Sequence, residues 1–318
     1  MNYPTPSYGV PVAAKSSSTK IILIVVCVVI GIVLILGAIG IALGVGLGVG
    51  LSRRNSDSSS STGVLTAPTV NCVFSSGSGC GCAATKPSFQ SSARIYQGYT
   101  AVANSWPWVV ALYFNNNQSF CTGFLVSYQH VVTAAHCVDG IIENTITAYA
   151  GIQKRSEASS GQYRVVSDIN VNPGYSAGSF VNDIAVLKLA TEFNSSTTVA
   201  TCCVTSDTSL PNVGENGVII GWGQTSSSID LSDDLLQAVI RVSSVSLCGV
   251  SGTDNGRFCA GYAQTSPCNG DSGAPFMTSV NNLWTCTGLV SNSIQCGGST
   301  LFTRISTYKS FIDGITSG

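Results

Sequence analysis

The sequence predicts an all-β domain that is preceded by a single transmembrane helix. After residue 95, many short apolar and β-branched runs are interrupted by Gly and Ser, a pattern typical of barrels and sandwiches. Residues 21–51 contain no charged or strongly polar side chain, and about 20 apolar residues suffice to cross a bilayer. Twelve of the 13 cysteines lie after residue 71, which favours an oxidising, extracellular environment for the domain.

Composition argues against a nucleic-acid partner. The net charge is −1, and only 9% of the residues are charged, so no basic surface for a phosphate backbone is expected. The 318 residues are enough for one large β domain with accessory segments.

The apolar run at residues 21–51 predicts a membrane anchor. It is too long for the apolar core of a signal peptide, which is typically about 7–15 residues. Two lysines precede it and two arginines follow it, so basic residues do not decide its orientation. The cysteines lie after the run and require an oxidising compartment. They therefore predict a single-pass type II protein of the plasma membrane, with residues 1–20 in the cytoplasm and the β domain outside the cell.

Three short segments carry a candidate catalytic constellation. His136, one of only two histidines, ends an apolar run and precedes Cys137, and Asp183 precedes the strand-like run 184–189. Ser272 lies in a Gly-Asp-Ser-Gly turn, where glycines allow a tight bend and the close approach of a substrate. A Ser hydroxyl is a poor nucleophile unless a base lies within hydrogen-bond reach and a third group fixes that base. In the order His, Asp, Ser, the three segments supply these groups.

The segments resemble the chymotrypsin-like serine proteases, from about Ile95 to the C-terminus. The resemblance implies two six-stranded antiparallel β-barrels, with the three residues between them and a short C-terminal helix. It makes His136 the base, Asp183 its orienting partner and Ser272 the nucleophile, with the amides of Gly270 and Ser272 as the oxyanion hole. Protein or peptide substrates and no cofactor are implied.

The segment Ala93-Arg94-Ile95-Tyr96 resembles the activation junction of that family, where cleavage after a basic residue frees an Ile N-terminus. The resemblance implies that the Ile95 ammonium pairs with Asp271, since a buried charge is tolerable only when paired. The family usually has Val where Tyr96 stands, and an ordinary exposed Arg in a linker is the alternative interpretation of Arg94. The predicted organisation, similar to type II transmembrane serine proteases, is a tail (1–20), a signal anchor (21–51), a Ser-rich stem and propeptide (52–94) and a protease domain (95–318).

The same resemblance assigns a primary substrate pocket. Ser266 takes the place of its floor, Ser293 and Thr300 the place of its walls, and Ser291 lies nearby. Trypsin-like enzymes carry Asp at the floor, so its absence argues against Lys or Arg specificity. The elastase-like walls predict cleavage after small or medium uncharged residues, and hence activation by a separate trypsin-like protease. The alternative is that these are surface-loop residues without a selective role.

The cysteines predict a disulfide framework. The resemblance implies the pairs Cys121–Cys137, Cys248–Cys259 and Cys268–Cys296. Cys202 and Cys203 are adjacent, so on a strand they face opposite sides. Our hypothesis is that Cys203 pairs with Cys80 or Cys82 of the stem and that Cys202 faces Cys286.

Two glycosylation sequons are present, at Asn117 and Asn194. Glu157 is the only acid between residues 151 and 167, where the family's calcium loop needs more, so no metal is expected. The main competing interpretation is a catalytically inactive protease-fold binding module, and another is a secreted protease whose anchor is removed. The intact triad, oxyanion glycine and activation Arg favour an active enzyme.

Overall fold

The computed structural model describes residues 65–75, 79–89, 98–115, 119–225, 230–251, 254–261, 265–293 and 295–318. The predicted tail and anchor, the junction at Arg94 and Ile95, and the sequon at Asn117 lie outside these ranges. Within them, no helix has the length and apolar character needed to span a membrane.

The described ranges contain thirteen β-strands and one α-helix. The strands are β1 (Tyr99–Thr100), β2 (Val109–Phe114), β3 (Ser119–Ser127), β4 (His130–Thr133), β5 (Ile146–Ala150), β6 (Gln162–Val171), β7 (Ala185–Leu189), β8 (Asn216–Gly221), β9 (Leu236–Ser243), β10 (Arg257–Gly261), β11 (Pro275–Val280), β12 (Leu283–Ser293) and β13 (Thr300–Arg304). The helix is α1 (Lys309–Thr316), which directly follows a 3₁₀ turn at Ile305–Tyr308.

Strands β2 to β7 close into the first barrel, in the order β2-β3-β4-β7-β6-β5, with antiparallel neighbours throughout. In β5 the buried residues alternate with partly exposed ones, because successive side chains of a strand point to opposite faces. Strand β2 is buried along its whole length, since its outer face is covered as well. The inner face is filled by large apolar side chains such as Leu112, Phe124 and Leu187.

Strands β8 to β13 close into the second barrel. Their order is β8-β9-β10-β13-β12-β11, and the pairing of β11 with β8 closes the barrel. The short strand β1 pairs with the start of β9. Phe258, Phe276 and Phe302 pack together in its core, with ring centroids 5.1–5.4 Å apart. Gly217 lies directly beneath the Phe276 ring, which would collide with any side chain at that position. The two barrels and the short C-terminal helix confirm this part of the predicted fold.

The part of the stem that the structure describes packs against the second barrel. The Phe89 ring lies 6.2 Å from Trp106 and 6.3 Å from Trp284, and the Gly81 amide donates to the Thr201 carbonyl at 2.8 Å. The Asn216 side chain donates to the Thr66 carbonyl at 3.0 Å. The stem is therefore held by apolar contacts and hydrogen bonds as well as by a disulfide.

Six disulfides lie within the described ranges: Cys72–Cys82, Cys80–Cys203, Cys121–Cys137, Cys202–Cys286, Cys248–Cys259 and Cys268–Cys296. They include the three pairs that the resemblance implies. Of the two stem cysteines considered for Cys203, the structure selects Cys80, and Cys82 pairs with Cys72 instead.

Candidate active site

Asp183 lies at the entrance to β7 and is completely buried. Its carboxylate accepts three hydrogen bonds: from the His136 amide at 2.9 Å, from His136 Nδ1 at 2.8 Å and from the Ser291 hydroxyl at 2.5 Å. The Thr303 hydroxyl donates to the Asp183 carbonyl oxygen at 2.9 Å. A buried carboxylate is tolerable only when it accepts hydrogen bonds. The donors at the barrel interface therefore hold the Asp183 carboxylate in one orientation.

His136 is held in one orientation by Asp183. It lies in the 3₁₀ turn Ala135–Cys137 at the end of β4, and its side chain is 23% exposed. Since Nδ1 faces the carboxylate, Nε2 is the nitrogen left for a reacting group. The Phe180 ring packs edge-on against the imidazole, with centroids 5.7 Å apart.

Ser272 lies in the turn before β11, and first-barrel residues hold that turn beside His136. The Thr122 amide donates to the Ser272 carbonyl oxygen at 2.9 Å. Cys137 Sγ lies 3.9 Å from the same oxygen and 3.8 Å from His136 Nε2. Gly273 fits against Ala134, whose amide nitrogen would lie 3.0 Å from an added Cβ. The turn therefore has no room for a side chain after Ser272.

The Ser272 hydroxyl makes no hydrogen bond with any other described residue. Such catalytic hydrogen bonds are often long in the absence of substrate and tighten in the reacting complex. Within the same ranges, the amides of Gly270 and Ser272 are also without hydrogen-bond acceptors. Gly270 has φ of 94°, a left-handed conformation that favours glycine. Within the described ranges, the two amides predicted as oxyanion donors are therefore not engaged by other groups.

Asp271 is a second carboxylate beside the candidate site, and unlike Asp183 it is partly exposed. Its Oδ1 accepts from the Gly223 amide at 2.8 Å and its Oδ2 from the Cys268 amide at 3.0 Å. Burial raises the pKa of Asp271 to about 6, against the lowering effect of these two hydrogen bonds. No cation among the described residues pairs with it. It lines a small pocket that also includes Gly98 and Leu236.

Comparison with known protein families agrees with this geometry. The family model described as Trypsin matches residues 95–312, which is more than half of the chain. The chain belongs to the trypsin family. Family and fold together support a chymotrypsin-like serine protease with protein substrates, which confirms the coarser part of the function predicted from the sequence.

In this trypsin-family domain, three of the four predicted pocket residues come together. Thr300 and Ser266 are buried, and the hydroxyls of Ser293 and Thr300 are 2.9 Å apart. The Ser266 hydroxyl accepts from the Gly297 amide at 2.9 Å and donates to the Pro267 carbonyl at 3.2 Å. The candidate floor is therefore neutral and satisfied by backbone groups, with the wall hydroxyls in mutual contact.

Ser291 has a different role from its three neighbours in the predicted pocket set. Its hydroxyl donates to Asp183, so its side chain supports the candidate acid. Sequence analysis also missed Thr303 and Thr122, which hold the turns carrying Asp183 and Ser272. Their sequence positions carry no signal of this role, because their partners are distant along the chain.

The remaining predicted sites are simpler. Asn194 is exposed on the loop after β7, which leaves its side chain accessible. In the part of the chain that the structure covers, no three His, Cys, Asp or Glu side chains group as metal ligands.

Proposed function

We propose that this trypsin-family protein is a membrane-anchored serine endopeptidase that is made as a zymogen. It is cleaved after Arg94 and then hydrolyses peptide bonds through an acyl-enzyme, with His136, Asp183 and Ser272 as its catalytic triad. The observation that carries the proposal is the buried Asp183, which accepts from both the amide and the ring of His136.

In the proposed reaction each of these side chains has one role. Ser272 Oγ attacks the scissile carbonyl carbon while His136 Nε2 takes the hydroxyl proton, and Asp183 stabilises the resulting imidazolium. The amides of Gly270 and Ser272 donate to the oxyanion, and each such donor typically contributes about 2.7–4 kcal/mol. His136 then gives its proton to the leaving amine, and a water molecule releases the acyl group by the same steps.

Activation by cleavage is supported by the surroundings of Asp271. Desolvation of a carboxylate that lacks a cation is costly, and an ammonium in the adjoining pocket would reduce that cost for the partly exposed Asp271. Cleavage after Arg94 would create the ammonium of Ile95, three residues before Gly98 in the pocket wall. Three residues span at most about 10 Å, so the new N-terminus would remain close to the pocket.

The neutral, narrowed pocket supports specificity for small or medium uncharged side chains. Ser266 offers no negative charge to a guanidinium, and Ser293 and Thr300 restrict the depth. Burying an unpaired cation there would cost several kcal/mol. We therefore propose that the enzyme does not cleave efficiently after Arg94 and depends on a separate trypsin-like activator.

Anchoring through residues 21–51, with the protease domain outside the cell, is the proposed location. The apolar run and the disulfides support it. After alkaline carbonate extraction of expressing cells, the full-length protein should remain in the membrane pellet. Surface biotinylation of intact cells should label it. Recovery in the carbonate supernatant would refute the anchor, and recovery in the culture medium would support a secreted form.

A fluorophosphonate probe tests the catalytic proposal directly. Full-length protein treated with trypsin should be labelled, Ser272→Ala should not, and the exposed-serine control Ser209→Ala should be labelled like the wild type. Absence of label on correctly cleaved, folded wild-type protein would instead support the inactive binding module.

A further inference from the structure

Two loops, one from each barrel, meet beside the candidate active site. Residues 153–157 follow β5, and residues 231–235 precede β9. The Arg155 amide donates to the Asp233 carbonyl at 2.9 Å. Both carboxylate oxygens of Asp233 accept from Ser156, at 2.7 Å from the amide and 2.8 Å from the hydroxyl. The first barrel therefore fixes a loop of the second barrel.

The Arg155 side chain extends this contact towards the active site. Its Cζ lies 5.0 Å from the centroid of the Phe120 ring and 5.9 Å from that of Tyr113, within the range of a cation–π interaction. Its Nη1 donates to the Leu231 carbonyl at 3.4 Å. Its Nε is buried without a hydrogen-bond partner, and no described carboxylate forms a salt bridge with the guanidinium. Arg155 is thus held by aromatic rings and directed at the backbone of Leu231.

Leu231 in turn covers Gly270. A Cβ built on Gly270 would collide with Leu231 Cδ2 and would lie 3.2 Å from Gly223 Cα, so Gly270 is enclosed between the two residues. Leu231 forms an isolated antiparallel bridge with Gln224, whose amide donates to the Asn269 carbonyl at 2.8 Å. The position of Leu231 therefore restricts the peptide that carries the Gly270 amide.

We propose that Arg155 is a positioning residue for the oxyanion hole. By holding Leu231 against Gly270 from the first barrel, it fixes the Gly270 amide where negative charge develops on the substrate. The inference rests on the proposed peptidase function and adds a residue to it. Removing an oxyanion donor costs about 10²–10³ in kcat, so a donor that is merely displaced should cost about tenfold. KM should be unaffected, because ground-state contacts do not change.

The test compares Arg155→Met and Leu231→Ala with a matched control, Arg164→Met. Arg164 lies on β6 of the same barrel and also stacks on a ring, 5.1 Å from the Phe193 centroid. In full-length protein after cleavage, both test variants should lose about tenfold in kcat and in affinity for a peptide boronic acid, which forms a tetrahedral adduct. KM should stay within twofold, and the control should behave like the wild type. A rise in KM alone would refute the positioning role.

Hydrogen exchange measured by mass spectrometry tests the contact without relying on activity. Exchange in residues 223–225 and 268–273 of the full-length protein should become several-fold faster in both test variants and stay unchanged in the control. Unchanged exchange in the folded test variants would refute the inference. Should the cleaved wild type lack activity, the proposed function fails and exchange alone decides the inference. Should Arg155→Met not fold, Leu231→Ala decides it.

Discussion

Replacing Asp271 by Asn should stabilise the uncleaved protein at neutral pH but not at low pH. Burial raises the pKa of Asp271 from 3.8 to about 6. Between these two pH values, the folded state holds a proton that the unfolded state has released. Stability is therefore highest below pH 3.8 and falls as the pH rises through about 6. A difference of about two pH units corresponds to at most about 3 kcal/mol, and solvent screening reduces this value because Asp271 is partly exposed.

The change also removes one acceptor, because Asn cannot accept from both the Gly223 and the Cys268 amides. That loss is about 1 kcal/mol and does not depend on pH, so the pH-dependent part remains diagnostic. The assay is urea unfolding of full-length, uncleaved protein at pH 3.5 and pH 8, in a Ser272→Ala background that prevents proteolysis. Asp139→Asn, at an exposed position, is the control.

The free energy of unfolding of Asp271→Asn, relative to the parent, should be more favourable at pH 8 than at pH 3.5, by up to about 3 kcal/mol. An equal difference at both pH values would refute the conclusion that desolvation raises the pKa of Asp271 in the uncleaved protein. After cleavage the effect at pH 8 should reverse, since the proposed Ile95 ammonium would then lose its partner.

Three further predictions concern the tether, the pocket and a buried histidine. Because Cys80 pairs with Cys203, the cleaved protein should run as one species on non-reducing electrophoresis. The Cys203→Ser variant should release the stem in denaturant without a reductant. Release of the stem from the cleaved wild type without a reductant would contradict this. Replacing both Ser293 and Thr300 by Gly should widen the pocket for a larger side chain. On a peptide library, the ratio of kcat/KM for substrates with Phe before the scissile bond to kcat/KM for those with Ala should rise at least tenfold. An unchanged ratio would exclude these residues from the pocket. Burial, and secondarily Lys188, lowers the pKa of His130 below 6.5. The stability contributed by the neutral imidazole is therefore present above about pH 6.5 and is lost as the pH falls. The unfolding free energy of His130→Gln should depend less on pH between 7 and 5 than that of the wild type, and an unchanged slope would contradict this.

The fold and the candidate triad could be predicted because their signals are local. His136, Asp183 and Ser272 each lie in a short segment whose glycines, cysteine or strand-like run describe the surrounding turn. The adjacency of Cys202 and Cys203 likewise predicts opposite directions, and the structure pairs them with Cys286 and Cys80.

The residues that support the triad could not be predicted in the same way. Ser291 donates to Asp183 across 108 positions of sequence, and Thr303 contacts it across 120. Both lie in the second barrel, and only closure of the two barrels brings their hydroxyls to the acid. Ser and Thr are common in this chain, so residue type alone did not distinguish Ser291 as a support from Ser293 as a pocket residue.

The different surroundings of Asp183 and Asp271 support the proposal that the candidate triad is in place before cleavage. Asp183 is fully buried and Asp271 only partly, and each carboxylate accepts hydrogen bonds from backbone amides. Asp183 also accepts hydrogen bonds from His136 and Ser291, so its carboxylate is satisfied without cleavage at Arg94. Among the described residues Asp271 has only amide partners, and desolvation raises its pKa against their lowering effect. On the proposed mechanism, cleavage supplies a cation for Asp271 and leaves the triad unchanged, so activation acts on the neighbouring oxyanion turn at Gly270 rather than on the base or nucleophile.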